Sequence, residues 1–239
     1  MAGRMYLMTY NWLLCTGWFY MLCLALKTLI TVDKSGGGGH AHVYQAVEIP
    51  LLFAQSAAFF EVLHSLIVVI KRQLVYFLYY ILVFNGLVRS QISATLPQIS
   101  SRLFVVWGIL YNFPQVQTHP FFSSMVISWC ITEIIRYSFF AMKETFGSAP
   151  FWLLWLRYST FLVLYPSGIA SEIGLIYKSL PYIKESGFLT IRMPNAWNFS
   201  FDYFYCAIMV LGVYVPGVPH LYGHMLGQRK KSLSRSKRE

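Results

Sequence analysis

A phenol and a carboxylic acid sit seven residues apart within the apolar stretch Trp152 to Tyr177, in the run Tyr165-Pro-Ser-Gly-Ile-Ala-Ser-Glu172. At about 100° per residue, seven helical steps bring Glu172 back to within roughly 20° of Tyr165, about 10.5 Å further along the axis. One substrate can therefore meet both groups. A carboxyl group at membrane depth costs on the order of 3 kcal/mol on insertion scales, so it calls for a partner, a wet cavity or a chemical role. A phenol and a carboxylate on one helix face suit proton transfer, with one group giving a proton and the other taking one. Pro166 removes a backbone donor and frees the carbonyl of Leu162, which predicts a bend beside Tyr165, while Gly168 permits close approach by a neighbouring chain or a ligand. A purely structural alternative makes Tyr165 an interfacial belt aromatic and sets Glu172 at the headgroup boundary.

Other polar residues in apolar segments carry weaker signals. Glu133 and Arg136 stand at i and i+3, close enough to pair. The pair reads equally as a structural ion pair or as a guanidinium facing a cavity, ready for a phosphate or thioester oxygen. Glu61 and His64 repeat that spacing, but a di-iron bundle needs two such motifs and two further carboxylates. His220 and His224 share a helix face without an acidic third ligand, so no metal is expected. No glycine-rich phosphate loop occurs, Gly36 to Gly39 reads as a flexible link, and Ser167 has neither a nucleophile elbow nor a histidine within local reach.

These residues need helices that cross a bilayer. Of 239 residues, 56% are hydrophobic, 18% aromatic and only 12% charged, and the mean hydropathy is +0.52. That is more apolar surface than an ordinary soluble core can bury. The composition predicts an all-α polytopic membrane protein. Apolar segments recur at about Leu7 to Ile30, Val47 to Ile70, Leu103 to Phe113, Phe121 to Met142, Phe151 to Tyr177 and Tyr203 to Leu226, each near the roughly 20 residues of a span except the third. The base reading is a bundle of six transmembrane helices, with the third extended by Ile99 to Ser101 and Gln115 to Val116. Residues 1–226 form one transmembrane domain in this reading, followed by a basic tail at 227–239. Cys15, Cys23, Cys130 and Cys206 lie in apolar segments with no metal or disulfide spacing, and read as buried small hydrophobes. The first apolar run lacks a small-residue cleavage site and would insert as its own anchor.

The formal net charge is +10, which invites a nucleic-acid reading until its distribution is considered. Much of it lies in Arg229, Lys230, Lys231, Arg235, Lys237 and Arg238, a solvated tail rather than a nucleic-acid surface. Lys71, Arg72, Arg89 and Arg102 precede the third segment, none occurs from Asn112 to Pro120, and Arg136, Lys143 and Arg157 surround the turn into the fifth. The positive-inside bias puts both termini in the cytosol. The connection from Lys178 to Asp202 interrupts the pattern with Lys178, Lys184 and Arg192. Asn198-Phe-Ser200 there is a glycosylation sequon if that connection is lumenal. Arg235-Ser-Lys237-Arg238-Glu239 resembles a basic endoplasmic reticulum retrieval signal.

Taken in order, Glu61-Val-Leu-His64, Ser93-Ala-Thr-Leu-Pro-Gln98 with Ser101-Arg102, Thr132-Glu133-Ile-Ile-Arg136-Tyr137, Leu164-Tyr165-Pro-Ser-Gly-Ile-Ala-Ser-Glu172 and Arg192-Met-Pro-Asn195 with Phe201-Asp-Tyr-Phe-Tyr205 resemble one family. It is the very-long-chain (3R)-3-hydroxyacyl-CoA dehydratases, also called protein tyrosine phosphatase-like proteins, in their plant PASTICCINO type. The resemblance implies six spans in the endoplasmic reticulum membrane, contact with membrane lipid and with other fatty-acid elongase subunits, and the third step of fatty-acid elongation. In that step a 3-hydroxyacyl-CoA loses water to give a trans-2-enoyl-CoA. The family's catalytic tyrosine and glutamate fall on Tyr165 and Glu172. Dehydration needs a base for the proton beside the thioester carbonyl and an acid for the departing hydroxyl, and no cofactor or metal. Glu172 as base and Tyr165 as donor is one assignment, and the reverse is open. The acyl tail would lie in the apolar bundle and the CoA head at the cytosolic face, within reach of Arg102, Arg136 and Arg157. Phosphatase chemistry needs a cysteine whose loop ends in arginine, and no cysteine here has an arginine five or six residues downstream. A membrane scaffold that binds elongase subunits or a phosphorylated partner without chemistry is the competing expectation.

One departure from the family stands out. Relatives run from the Leu-His motif within a few residues into Gly-Leu-Val-Arg-Ser, whereas here about Val68 to Asn85 intervenes before Gly86. An unspliced intron read in frame would give such an insertion near 68–85. A true seventh span there would invert everything after it, so the insert is expected to extend the second helix or to lie in the interface.

Overall fold

The computed structural model describes residues 2–33, 39–56, 92–194 and 198–236, so Glu61, His64 and the insertion near 68–85 lie outside the described residues. The regular elements are helical: α1 (Ala2–Asp33), α2 (40–56), α3 (Ile92–Leu103), a π-helical segment (Phe104–Leu110), α4 (Pro114–Gln117), α5 (Pro120–Phe146), α6 (Phe151–Ser159), α7 (Phe161–Ser186) and α8 (Tyr203–Ser236). Extended pairing among the described residues is confined to a bridge between Ile191 and Phe201. Two compact units result, one of Met1–Glu48 with Phe113–Glu239 and one of Ile49–Asn112.

The first unit is built on α5. α1 lies antiparallel to it: Arg4 Nε donates to the carbonyl of Glu144 at 2.8 Å and Trp12 Nε1 to the Thr145 hydroxyl at 3.2 Å. Cys15, Trp18, Met21 and Ala25 form the buried stripe of α1, at the three- and four-residue steps that keep side chains on one helical face. Cys23 falls off that stripe and is exposed, contrary to the expectation that all four cysteines are buried. The start of α2 returns beside the end of α1. A Cβ on Gly39 would stand 2.8 Å from the carbonyl oxygen of Leu29, so only glycine fits there. Tyr44 then meets the Phe122 ring edge-on at 5.3 Å.

α7 runs antiparallel to α5 on another side and α8 antiparallel to α7. Four helices among the described residues are long and apolar enough to cross a membrane: Arg4–Thr31, Pro120–Phe146, Phe151–Ser186 and Tyr203–Ser234. Their exposed residues, including Phe19, Ile30, Val163, Val213 and Val215, are what a helix presents to hydrocarbon. α8 has 34 residues, about 51 Å at 1.5 Å per residue, against a hydrocarbon core of about 30 Å. One end of it must therefore stand clear of the core.

Helix ends follow local chemistry. His119 caps α5, its Nδ1 accepting from the Phe121 amide at 3.3 Å, and Pro120 takes the first helical position. Gly147 and Gly187 end α5 and α7 with φ of 81° and 60°, the left-handed conformation glycine adopts without a Cβ penalty. α7 continues through Pro181 to Ser186, so the connection expected from Lys178 begins instead at Gly187. The third apolar segment extends toward its N-terminus as expected, giving an apolar helix Gln98–Leu110. It does not continue through Gln115 and Val116, because Phe113 precedes Pro114, which disfavours helical dihedrals, and sits at φ −125° and ψ 84°. The irregularity expected beside Tyr165 comes earlier, at Thr160 between α6 and α7. Pro166 acts on the turn before it, and Thr160 keeps helical dihedrals of −64° and −25°, so α6 and α7 continue as one span.

Candidate active site

α5 and α7 approach through small residues. The Ser167 hydroxyl lies 3.0 Å from that of Ser128 and 3.4 Å from that of Ser124, and Ser171 Oγ donates to the Ser167 carbonyl at 2.8 Å. Interfaces of small and hydroxyl side chains let membrane helices pack closely where the lipid offers no hydrophobic drive. Gly168 is buried in this seam, and a Cβ there would lie 3.7 Å from Ser128 Cβ, an ordinary contact. Gly174 is tighter, since a Cβ would run into the Phe121 ring.

That seam sets Glu172 in the interior with 5% of its surface exposed. Trp129 Nε1 of α5 donates to Oε1 at 3.0 Å, and the Tyr214 hydroxyl of α8 donates to Oε2 at 2.8 Å. Donors from two different helices therefore fix the carboxylate from both sides, and hydrogen bonds to an ionised acceptor are the strong kind. Neither donor was singled out from the sequence. A buried carboxyl needs donors, but with 7 tryptophans and 17 tyrosines in the chain, only the packing selects these two.

Tyr165 stands on the same face of α7. Its ring tilts against Tyr222 of α8 at 6.0 Å, and Tyr222 also meets Phe161 edge-on at 5.8 Å. The Tyr165 oxygen is buried and has no hydrogen-bond partner among the described residues. A buried hydroxyl left unpaired costs about 1 to 3 kcal/mol, and such groups concentrate where a ligand supplies the missing partner. Tyr165 also lies within Coulombic reach of Glu172.

Two of the predicted basic residues, Arg136 and Arg157, lie further along the same unit, away from Glu172. Arg136 is seven residues beyond Trp129 on α5, about 10.5 Å along the axis. Its Nε pairs with Glu133 Oε2 at 2.7 Å, its Nη2 donates to the Tyr137 hydroxyl at 2.6 Å, and Glu133 is only 4% exposed. The ion pair expected from the i, i+3 spacing is therefore present. Arg157 of α6 is wedged between the Phe139 and Phe140 rings, 4.6 and 4.3 Å from their centroids, with a buried Nη1 that has no hydrogen-bond partner among the described residues. Arg102 ends α3 and belongs to the other unit. Among the described residues no three His, Cys, Asp or Glu side chains gather in a metal-binding arrangement, and His224 lies 2.8 Å from Gln228.

Residues 73–235 match the family of protein tyrosine phosphatase-like protein, PTPLA. Over 234 residues the chain is 56% identical to the very-long-chain (3R)-3-hydroxyacyl-CoA dehydratase PASTICCINO 2A of Oryza sativa subsp. japonica, covering 98% of this chain and 95% of that one. The chain belongs to this dehydratase family. PASTICCINO 2 of Arabidopsis thaliana is 56% identical over 236 residues, with 99% of this chain and 96% of the relative covered. The similarity reaches beyond plants: very-long-chain (3R)-3-hydroxyacyl-CoA dehydratase 2 of Homo sapiens is 36% identical over 229 residues, covering 96% of this chain and 81% of its own. No solved structure matches the chain.

Proposed function

We propose that this chain is a hydro-lyase that dehydrates long and very-long-chain (3R)-3-hydroxyacyl-CoA to trans-2-enoyl-CoA, the third step of fatty-acid elongation. The observation that carries the chemistry is the buried, unpartnered hydroxyl of Tyr165 on the same helix face as a carboxylate held by two donors. A carboxylate that only accepts hydrogen bonds serves as the base, and a phenol with a free proton serves as the acid. Glu172 takes the proton from C2 of the acyl chain, whose electron pair becomes the C2–C3 double bond. The C3–O bond breaks with its electrons on oxygen, and the Tyr165 proton completes the departing water. Transfer of one proton from Glu172 back to the Tyr165 oxygen restores the site. Both groups exert their full effect only in a site closed to bulk water. The Gly168 seam allows the substrate close to the backbone, and Arg136 and Arg157 lie on the side toward the CoA end.

The proposed setting is the endoplasmic reticulum membrane, among the other elongase subunits, with six spans and both ends in the cytosol. One end of the first unit gathers Arg4, Lys143, the start of α6 and the Arg229–Lys231 run, which supports a cytosolic face there. Gly39 beside Leu29 and Tyr44 beside Phe122 put the start of α2 and the start of α5 at the opposite end.

The test is conversion of a long-chain (3R)-3-hydroxyacyl-CoA by membranes carrying this chain, with Tyr165→Phe beside it. Dehydration lost in Tyr165→Phe, with elongase association retained, is the expected result. Association without turnover in the unaltered chain would replace the enzyme by the scaffold.

A further inference from the structure

Beyond Tyr222, α8 continues toward the basic end of the unit, and a second feature opens there. Arg229 Nε donates to the Ser159 hydroxyl at 3.3 Å, tying the end of α8 to α6. Past that contact lies an open groove of about 600 Å³ whose walls include Phe151 and Trp155 of α6 and Leu226, Arg229 and Lys230 of α8. Phe151 and Trp155 are 53% and 47% exposed, so aromatic faces and cationic groups border the same space. α8 is longer than a hydrocarbon core is thick and carries Arg229, Lys230 and Lys231 here, which puts this end at or beyond the headgroups, where a polyanion can enter from water.

We propose that this groove holds the nucleotide end of the acyl-CoA, with Arg229 and Lys230 on its phosphates and the aromatic pair against the adenine. The inference rests on the dehydratase reading of Tyr165 and Glu172, and it names the site that reading leaves unassigned. Charge and stacking both fit. Guanidinium and ammonium groups are the usual partners of phosphate, and purines stack on indole and phenyl faces. The reach fits as well. Tyr165 and Trp155 are ten residues apart along the α6–α7 span, about 15 Å. The pantetheine arm from sulfur to phosphorus has about thirteen bonds, as many as four extended residues, and also reaches about 15 Å. A thioester at Tyr165 thus delivers its phosphates to the groove. Arg136 and Arg157 lie between the two places, the first paired with Glu133 and the second packed on aromatic rings, which leaves Arg229 and Lys230 as the cations at the end of the arm.

The full chain, purified and reconstituted in phosphatidylcholine vesicles, is assayed with a (3R)-3-hydroxyacyl-CoA and with the matching acyl-pantetheine, which lacks the nucleotide. Arg229→Gln with Lys230→Gln is expected to lower kcat/KM for the CoA thioester at least about tenfold, through KM, as loss of charge-assisted contacts implies. The preference for CoA over pantetheine falls by the same factor, and Arg229→Lys restores part of it. An equal loss for both thioesters, or no loss, overturns the proposal. A loss that follows the anionic phospholipid content of the vesicles instead assigns the groove to lipid headgroups and also overturns it. If the unaltered chain dehydrates neither thioester, the dehydratase reading is what fails. Saturable binding of adenosine 3′,5′-bisphosphate, weakened in the double variant, then supports the groove, and binding unchanged in that variant rejects it.

Discussion

The two ends of the contact between α8 and the α6–α7 span solve opposite problems. Near Glu172 the helices close over one charge, and indole and phenol donors from separate helices hold its two oxygens. Near Arg229, where α8 faces α6, cations and aromatic rings border an open groove. The first arrangement demands a fixed geometry in a dry interior, while the second needs only charge and surface where water can enter. Precision of packing and availability of charge thus sit at different levels of α8, about 22 Å apart between Tyr214 and Arg229.

If the closed end works by fixing the carboxylate, loosening it should slow chemistry without weakening binding. Trp129→Phe and Tyr214→Phe each remove one donor, and each is expected to lower kcat about tenfold to a hundredfold with KM within about threefold, the size of a lost hydrogen bond to a charged group. Steady-state kinetics on membranes decides this, and a rise in KM at constant kcat would move both residues into substrate binding.

A second comparison sets two glycines of the α5–α7 seam against each other. Gly174→Ala drives a methyl into the Phe121 ring and is expected to cost about 1 to 3 kcal/mol of stability, as overpacking does. Gly168→Ala makes an ordinary contact with Ser128 at 3.7 Å and should change stability by less than about 1 kcal/mol. Thermal unfolding in detergent ranks the pair, and activity lost in a stably folded Gly168→Ala chain would show that a ligand, rather than a helix, needs that space.

The legible part of this architecture was the part written in local spacing. The seven-residue step from Tyr165 to Glu172 gives a shared face whatever surrounds them, and the three-residue step from Glu133 to Arg136 gives an ion pair that the structure contains. Apolar length likewise marked the spans of α1, α5, α6 with α7, and α8. Tertiary choices were not legible. Trp129, Tyr214 and Tyr222 become neighbours of the site only when α5 and α8 pack on α7, and nothing within their own segments distinguishes them from other aromatic residues. Boundaries failed near prolines: α7 runs through Pro181 past the boundary expected at Lys178, whereas Pro114 starts a new short helix and ends the extension expected for the third segment.

A modest, pH-dependent effect lies at the end of the unit opposite the groove. The imidazole of His119 caps α5 through an unprotonated nitrogen, and its pKa is pushed below the usual 6.5 by desolvation and then by the nearby charge of Lys178. A depressed histidine pKa contributes stability that is present above 6.5 and is lost as pH falls through the lowered folded value. His119→Ala should therefore lower stability at neutral pH by about 1 kcal/mol, as loss of a cap does, and flatten the decline on the acid side. Melting curves from pH 7 to 5 in both chains check the sign.

The pairing of Tyr165 with Glu172 is tested most directly by a double-mutant cycle on dehydration of a (3R)-3-hydroxyacyl-CoA. Glu172→Gln and Tyr165→Phe should each lower kcat by about a hundredfold to ten-thousandfold, and the double variant should be little worse than either, because groups that act as one unit are not additive. Turnover in Glu172→Gln close to that of the unaltered chain, or effects of the two changes that simply multiply, would contradict the account.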